Sequence, residues 1–376
     1  MLYTISCLVF CPLILSGTDD LDRPSSGPIT TGALGVSLLC LLVPSLFHCF
    51  AGQSPFDQMK RCLAGPWASG CLWAEAGVWL PSEQRLLEPD RFRCHWMKDC
   101  FVPFVERCTQ TILEEMPDAL IGVCPPAFGA ESMQAFPAKL HPQAFWVPHF
   151  YDGIVLIGKV WTDFGIEETE PGEKLFNLFP APPVRPVFGL ESRVASFKRQ
   201  LQRKCKLSSQ ATPNILGEIG IPFDLRSSGD QKDSSDAVNA AADAHMQALE
   251  ELLLPHCWWN YTPENSPERG DFWNGEDLSL CSKGQGRIPE SLIRPYLFKC
   301  NGTPISQRFN LHDGTYRCEF EAEEPGESVL FVPSLHFPLS RTKLSATPGV
   351  EVIPSQSQLL CRNPRPGRVV IELRRE

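Results

Sequence analysis

The sequence predicts an α/β protein with a second, all-β part: parallel β/α units up to about residue 292, then a small antiparallel β-sandwich. Three observations carry that expectation. Between His95 and Tyr261, short apolar runs that exit into polar residues alternate with segments of helical period. After Leu292 the apolar residues switch to a period of two, punctuated by Gly and Pro turns. And 376 residues exceed what one ordinary hydrophobic core accommodates.

Composition narrows the class. Hydrophobic residues at 43% and charged residues at 21% describe a globular chain. A formal charge of −10, with no basic stripe of interleaved aromatics, argues against a nucleic-acid partner. The sixteen cysteines form no Cys-x-x-Cys and no pair with zinc spacing, so buried thiols are expected and a metal site is not.

The elements follow in order. Residues 1–53 are read as a hydrophobic leader. Its Ala33 to Phe50 run would form a helix of about 27 Å, just short of a bilayer's hydrocarbon core, and is a candidate membrane segment. Gly70 to Trp79 reads as an irregular aromatic loop. His95 to Glu115 has helical spacing (Phe101, Phe104, Val105, Cys108, Ile112) and stops at Pro117-Asp118. Ala119 to Cys124 is a buried strand closed by Pro125-Pro126, and Phe145 to Tyr151 a second strand. An acidic, Pro-rich loop spans Glu167 to Pro186, and Ser192 to Lys206 is a basic amphipathic helix.

The run Ile215 to Asp224 is a short strand that breaks into a loop and carries one carboxylate, Glu218. Asp236 to Leu254 is a helix capped by Ser234 or Ser235, and Cys257 to Tyr261 a fourth strand. No strand is evident before residue 90. In the last part, Tyr316, Cys318 and Phe320, then Val369, Ile371 and Leu373, mark inward faces of sandwich strands.

Chemistry concentrates at three strand exits. A lone carboxylate at a strand mouth is expensive to bury unless it is used or paired. His149 and Tyr151, two residues apart, share one face of a strand and can orient Glu218 by hydrogen bonding. Trp259, beside Asn260, offers a flat face for a sugar. Together they point to a carboxylate nucleophile at a glycosidic bond; a salt-bridged structural Glu is the competing reading.

At these residues the sequence resembles glycoside hydrolase family 5, in its fungal steryl-β-glucosidase and glucosylceramidase subgroup related to endoglycoceramidases. The resemblance rests on Gly217 to Asp224, on Pro148-His149-Phe150-Tyr151-Asp152, on Leu72 to Trp79, and on Trp259-Asn260-Tyr261-Thr262-Pro263 continuing to Gly270-Asp271-Phe272-Trp273-Asn274-Gly275-Glu276-Asp277-Leu278-Ser279. It implies a retaining β-glycosidase on part of a (β/α)8 TIM-type barrel, strands five to eight recognisable in residues 54–292, followed by an accessory sandwich over 293–376. Glu218 would be the nucleophile, held by His149 and Tyr151. A second carboxyl about 5 Å away would protonate the leaving oxygen. Trp259 would stack on the sugar, with Asn260 a further substrate contact, and Trp258, Phe223 and Trp273 would contact the apolar aglycone.

The substrate implied is a glucosylated sterol or sphingolipid, met at a membrane surface, with no cofactor. The location implied is membrane-associated or intracellular (vacuolar) rather than secreted. One departure is plain: the family's acid/base lies in an Asn-Glu-Pro motif, and this chain has none. A non-catalytic glycolipid-binding or membrane-tethered protein, or an incomplete gene model, are therefore the alternatives.

Overall fold

The computed structural model describes residues 2–5, 77, 79–80, 82–83, 85–88, 97–125, 141–169, 184–206, 213–227, 234–272 and 275–376. The chain divides into two compact units, one comprising Met1–Trp146, Glu168–Arg185 and Leu207–Thr212, the other Val147–Glu167, Pro186–Lys206 and Pro213–Glu376.

In the first unit, helix Val102–Glu115 starts on a proline in its first turn, where the missing N–H has no helical partner to lose. A single π-turn, Met97–Phe101, precedes it. Phe101 and Val105 pack with Ile121, Val123, Ala144 and Trp146 in one buried cluster. Those last four lie on two parallel strands, Leu120–Val123 and Ala144–Trp146. A third strand, Leu2–Ile5, pairs in parallel with the first of them from Leu2↔Leu120 to Ile5↔Val123. Trp79–Leu80 pairs antiparallel with Arg85–Leu86. Strands thus exist before residue 90, each too short to register as a periodic run. The candidate membrane segment at 33–50 lies outside the described residues; among those described, no helix is long and apolar enough to cross a membrane.

The second unit begins where the expected strand Phe145 to Tyr151 breaks in two. Ala144–Trp146 belongs to the first sheet, whereas His149–Phe150 joins another. Pro148 is the cause, since it has no N–H to give a ladder and restricts the residue before it. His149–Phe150, Leu216–Ile219 and His256–Trp258 form a parallel sheet with the Glu218 strand in the centre. Helices Leu190–Lys206 and Ser235–Glu251 cover it, and Phe150, Phe197, Leu201, Leu216, Ile219 and Leu249 fill the interior. The Ser234 hydroxyl accepts from the N–H of Ala237, the expected cap.

Several short elements escaped sequence reasoning. Gly153–Gly158 is a six-residue helix, and Val160–Trp161 pairs in parallel with Arg226–Ser227. Asp152 caps that helix, accepting from the N–H of Ile154 (2.9 Å) and Val155 (3.4 Å), while its other oxygen pairs with the buried Arg193 guanidinium. Arg193 also lies 3.8 Å over the Trp161 ring.

The sandwich is two four-stranded antiparallel sheets. One runs in the order Tyr296–Lys299, Gly326–Phe331, Gln358–Asn363, Glu351–Ser355; the other in the order Gly302–Asn310, Thr315–Ala322, Gly367–Arg375, Thr342–Ala346. Tyr316, Cys318, Phe320, Val369, Ile371 and Leu373 face its interior, as their alternation requires. Cys281, Cys318 and Cys361 are buried free thiols, whereas Cys257 is free and exposed.

Candidate active site

Glu218 sits where its strand ends. Leu216 and Ile219 are fully buried and anchor the strand, leaving the carboxylate 24% exposed at the strand's C-terminal end. Its partner across the ladder is His149. The His149 Nδ1 lies 3.2 Å from the Glu218 Oε2, and the Tyr151 hydroxyl donates to the same oxygen at 2.9 Å. Among the described residues nothing bonds Oε1. Burial, then the charge of Glu218, pushes the Tyr151 phenol well above its ordinary value, so it remains a donor.

Two glycines make this closeness possible. A Cβ on Gly217 would come within 2.3 Å of the Val147 Cγ1, and one on Gly220 within 2.4 Å of the Trp259 carbonyl oxygen. The strands on either side therefore approach the Glu218 strand more closely than any side chain would allow. The Trp259 N–H donates to the Ile219 carbonyl at 2.7 Å, which seats Trp259 directly beside the carboxylate's strand. The Trp259–Asn260 peptide bond is cis. An open pocket is lined by Trp258, Trp259, Asn260, Tyr261, Thr262 and Asp271.

The predicted ligands have distinct surroundings. Trp258 lines that pocket while packing against the core. Asn260 is buried, its amide donating to Asp271 Oδ2 at 3.1 Å and its carbonyl accepting from the Thr262 hydroxyl at 3.2 Å. It holds a loop rather than presenting a free group. Phe223 lies under the Arg287 guanidinium at 3.9 Å. Trp273 falls outside the described residues.

The sequence and the fold have relatives. Residues 294–372 match the glycoside hydrolase family 5 C-terminal domain. A glucosylceramidase of Rhizopus delemar is 27% identical over 369 residues, covering 84% of this chain and 51% of that protein. The ergosteryl-beta-glucosidase of Saccharomyces cerevisiae is 28% identical over 228 residues, 56% of this chain and 29% of that one. The crystal structure of Cryptococcus neoformans sterylglucosidase 1 superposes with a TM-score of 0.68 at 22% identity, covering 81% of this chain and 50% of that one. The chain is thus similar in sequence to fungal glucosylceramidases and to a steryl glucosidase, and over residues 294–372 to the C-terminal domain of glycoside hydrolase family 5. It spans about half the length, or less, of the curated relatives it matches.

The family's C-terminal domain match opens at Arg294, a buried residue that ties the sandwich to the neighbouring helix. Sequence reasoning overlooked two acidic residues inside the Gly270 to Ser279 run on which the family resemblance rests. Asp271 is the hub of that loop: it accepts from Asn265 Nδ2 (2.7 Å), Asn260 Nδ2 (3.1 Å) and the N–H groups of Leu278 (2.9 Å) and Ser279 (3.2 Å). Glu276 is the other. Its carboxyl is raised by burial, then by the charges of Asp271 and Glu218. The signal was a pair of acids in a Gly-flanked loop two strand exits away, which spacing alone does not connect to Glu218.

Proposed function

We propose that the chain is a retaining β-glycosidase-type hydrolase of O-glycosyl bonds in glucosylated lipids, with Glu218 as the attacking carboxylate. One observation carries this: His149 and Tyr151 both engage Oε2 of Glu218, so the carboxylate is oriented while Oε1 is left for an electrophile. In this reading Oε1 bonds to the anomeric carbon as the bond from that carbon to the aglycone oxygen breaks. Water then cleaves the glycosyl ester. Trp259 supplies the stacking face, with Trp258, Asn260 and Trp273 nearby in sequence.

Residues 54–292 would be the nucleophile-bearing part of a (β/α)8 barrel, strands five to eight, and 293–376 its accessory sandwich. The names of the relatives, a glucosylceramidase and an ergosteryl-beta-glucosidase, support a lipid aglycone, ceramide or sterol. An amphiphilic substrate of that kind is met at a membrane surface. A second reading, glycolipid binding without turnover, is favoured by the absence of an Asn-Glu-Pro run from this chain, since losing a general acid removes about 10²–10⁴-fold in rate.

The test is covalent. The full chain is incubated with a 2-deoxy-2-fluoro-β-glucoside whose dinitrophenyl leaving group needs no acid, and its peptides are weighed. The expected result is one adduct, on Glu218, absent from Glu218→Gln. An adduct elsewhere overturns the assignment. No adduct, with binding to steryl glucoside liposomes retained, replaces catalysis with binding.

A further inference from the structure

We propose that Glu276 reads the sugar: its carboxylate accepts hydrogen bonds from hydroxyls of the glycosyl group whose anomeric carbon is held at Glu218. This rests on the reading of Glu218 as the attacking group.

The argument begins with how firmly the loop is fixed. The Asp271 N–H donates to the Glu276 carbonyl at 2.7 Å, and Gly270 leaves room for that carbonyl, since a Cβ there would meet it at 2.0 Å. Gly275 has φ +67°, which turns the chain into Glu276 without strain. On the far side, the Phe223 N–H donates to the Asp277 carbonyl at 2.7 Å, tying the loop to the segment that leaves the Glu218 strand. The Lys159 ammonium donates to the Gly275 carbonyl at 3.4 Å and pairs with Asp224 on the same segment. Glu276 is thus pinned at both ends against the exit of the strand that bears Glu218.

Its side chain is left without a donor. The carboxyl is half-buried, and no described residue gives it a hydrogen bond. The groups it senses are Asp271 and Glu218, which repel it, and Lys159, which attracts it; Tyr151 in turn senses Glu276. With Asp277 bonded to Phe223 and Leu278 to Asn260, the segment that carries Glu276 lies against the exits of the Glu218 and Trp259 strands, near enough for its charge to bear on Glu218 and Tyr151. A half-buried carboxylate with no protein donor takes its hydrogen bonds from water, or from a ligand that displaces that water. Lys159 already contributes the positive charge nearby, so what is missing is neutral O–H donors, and a sugar ring carries several.

The experiment measures binding, so it does not depend on turnover. Glucono-δ-lactam, a neutral glucose-shaped probe, and its 3-, 4- and 6-deoxy counterparts are titrated calorimetrically into the full chain and into Glu276→Gln. The expected result is a loss of about 10- to 100-fold for the lactam in the variant, as for a charge-assisted hydrogen bond. One deoxy probe loses the same factor in the wild type and nothing further in the variant. Equal losses for every probe, or none, overturn the inference, and thermal melts of Glu276→Gln and Glu276→Asp identify a folding defect. If the cycle shows no coupling while Glu218 still takes the fluoroglucoside, only the Glu276 role fails. If no probe binds and no adduct forms, both fail.

Discussion

Two stretches of the second unit are built on opposite plans. The three strands around Glu218 are two to four residues long and end in polar groups that must be aimed. The sandwich strands run four to nine residues and supply their own interior by alternation. Buried ions lean the same way: Arg193, Asp152 and Glu167 lie in the α/β stretch, whereas the hydrophobic cluster of the sandwich is aromatic, aliphatic and thiol, with Glu319 buried at its side between Arg317 and Arg368. Long alternating strands hold themselves in register. Strands of two or three residues cannot, so the loops after them are fixed by buried charge pairs instead. Removing charge should therefore disturb the α/β stretch far more than the sandwich.

The largest effect is expected where the two plans meet. Arg294, at the sandwich's entrance, bonds Glu250 through Nε (2.5 Å) and Nη2 (3.0 Å), Asp243 through Nη1 (2.6 Å) and the Phe309 carbonyl through Nη2 (2.9 Å). Glu250 in turn accepts from the Phe309 N–H at 3.1 Å. Arg294→Ala leaves two carboxylates without their cation. Such a break costs about 3–5 kcal/mol, read as a lowered urea midpoint. A midpoint within experimental error of wild type would show that the helix and the sandwich do not depend on this cluster.

Next in size is a pH effect confined to the α/β stretch. His245 is fully buried on helix Ser235–Glu251, stacked on Phe197 at 4.2 Å, with Nδ1 2.7 Å from the Ala241 carbonyl. Burial lowers its pKa to about 4, opposed by the Ala241 carbonyl and Asp152, while Arg193 lowers it further. The unfolded chain, titrating near 6.5, takes up the proton first. Stability is then complete above about pH 6.5 and falls as pH drops toward 4, by roughly 3 kcal/mol over the window. His245→Phe keeps the stacking and should flatten that limb in urea titrations between pH 4 and 7. An unchanged slope would assign the acid sensitivity to other groups.

What the sequence disclosed divides along the same line. Sandwich strands such as Thr315–Ala322 and Gly367–Arg375 were legible because one face alternates with the other over eight or nine residues. The helices over 190–206 and 235–251 were legible through their period and the Ser234 cap. His149–Phe150 was read as the end of a longer strand, because a two-residue strand has no period and Pro148 interrupts it. The Glu218–His149–Tyr151 contact was foreseeable, as two same-face residues and a carboxylate on neighbouring strands leave few arrangements. Glu276 and Asp271 were not, because the long Asn260–Ser279 loop returns to the site through scattered bonds, several of them to Asp271. Loop paths fixed by such hubs leave no periodic trace.

The smallest expected effect separates aiming from holding. Tyr151→Phe removes one donor from Oε2 of Glu218 and keeps the ring, while His149 retains its contact. The residue after it, Asp152, stays anchored to Arg193 and to its helix cap, so the backbone has no reason to move. Stability should change by under about 1 kcal/mol, the net worth of one hydrogen bond. The rate of fluoroglucoside attachment to Glu218, however, depends on which way the carboxylate faces, and a loss of about tenfold, or 1.4 kcal/mol, is expected. If stability falls by several kcal/mol while the attachment rate holds, the phenol is part of the scaffold and His149 alone orients the carboxylate. If the rate falls and the melt does not, the division drawn above extends down to a single hydroxyl: the α/β stretch contains groups whose whole contribution is direction, and the sandwich has no counterpart to them.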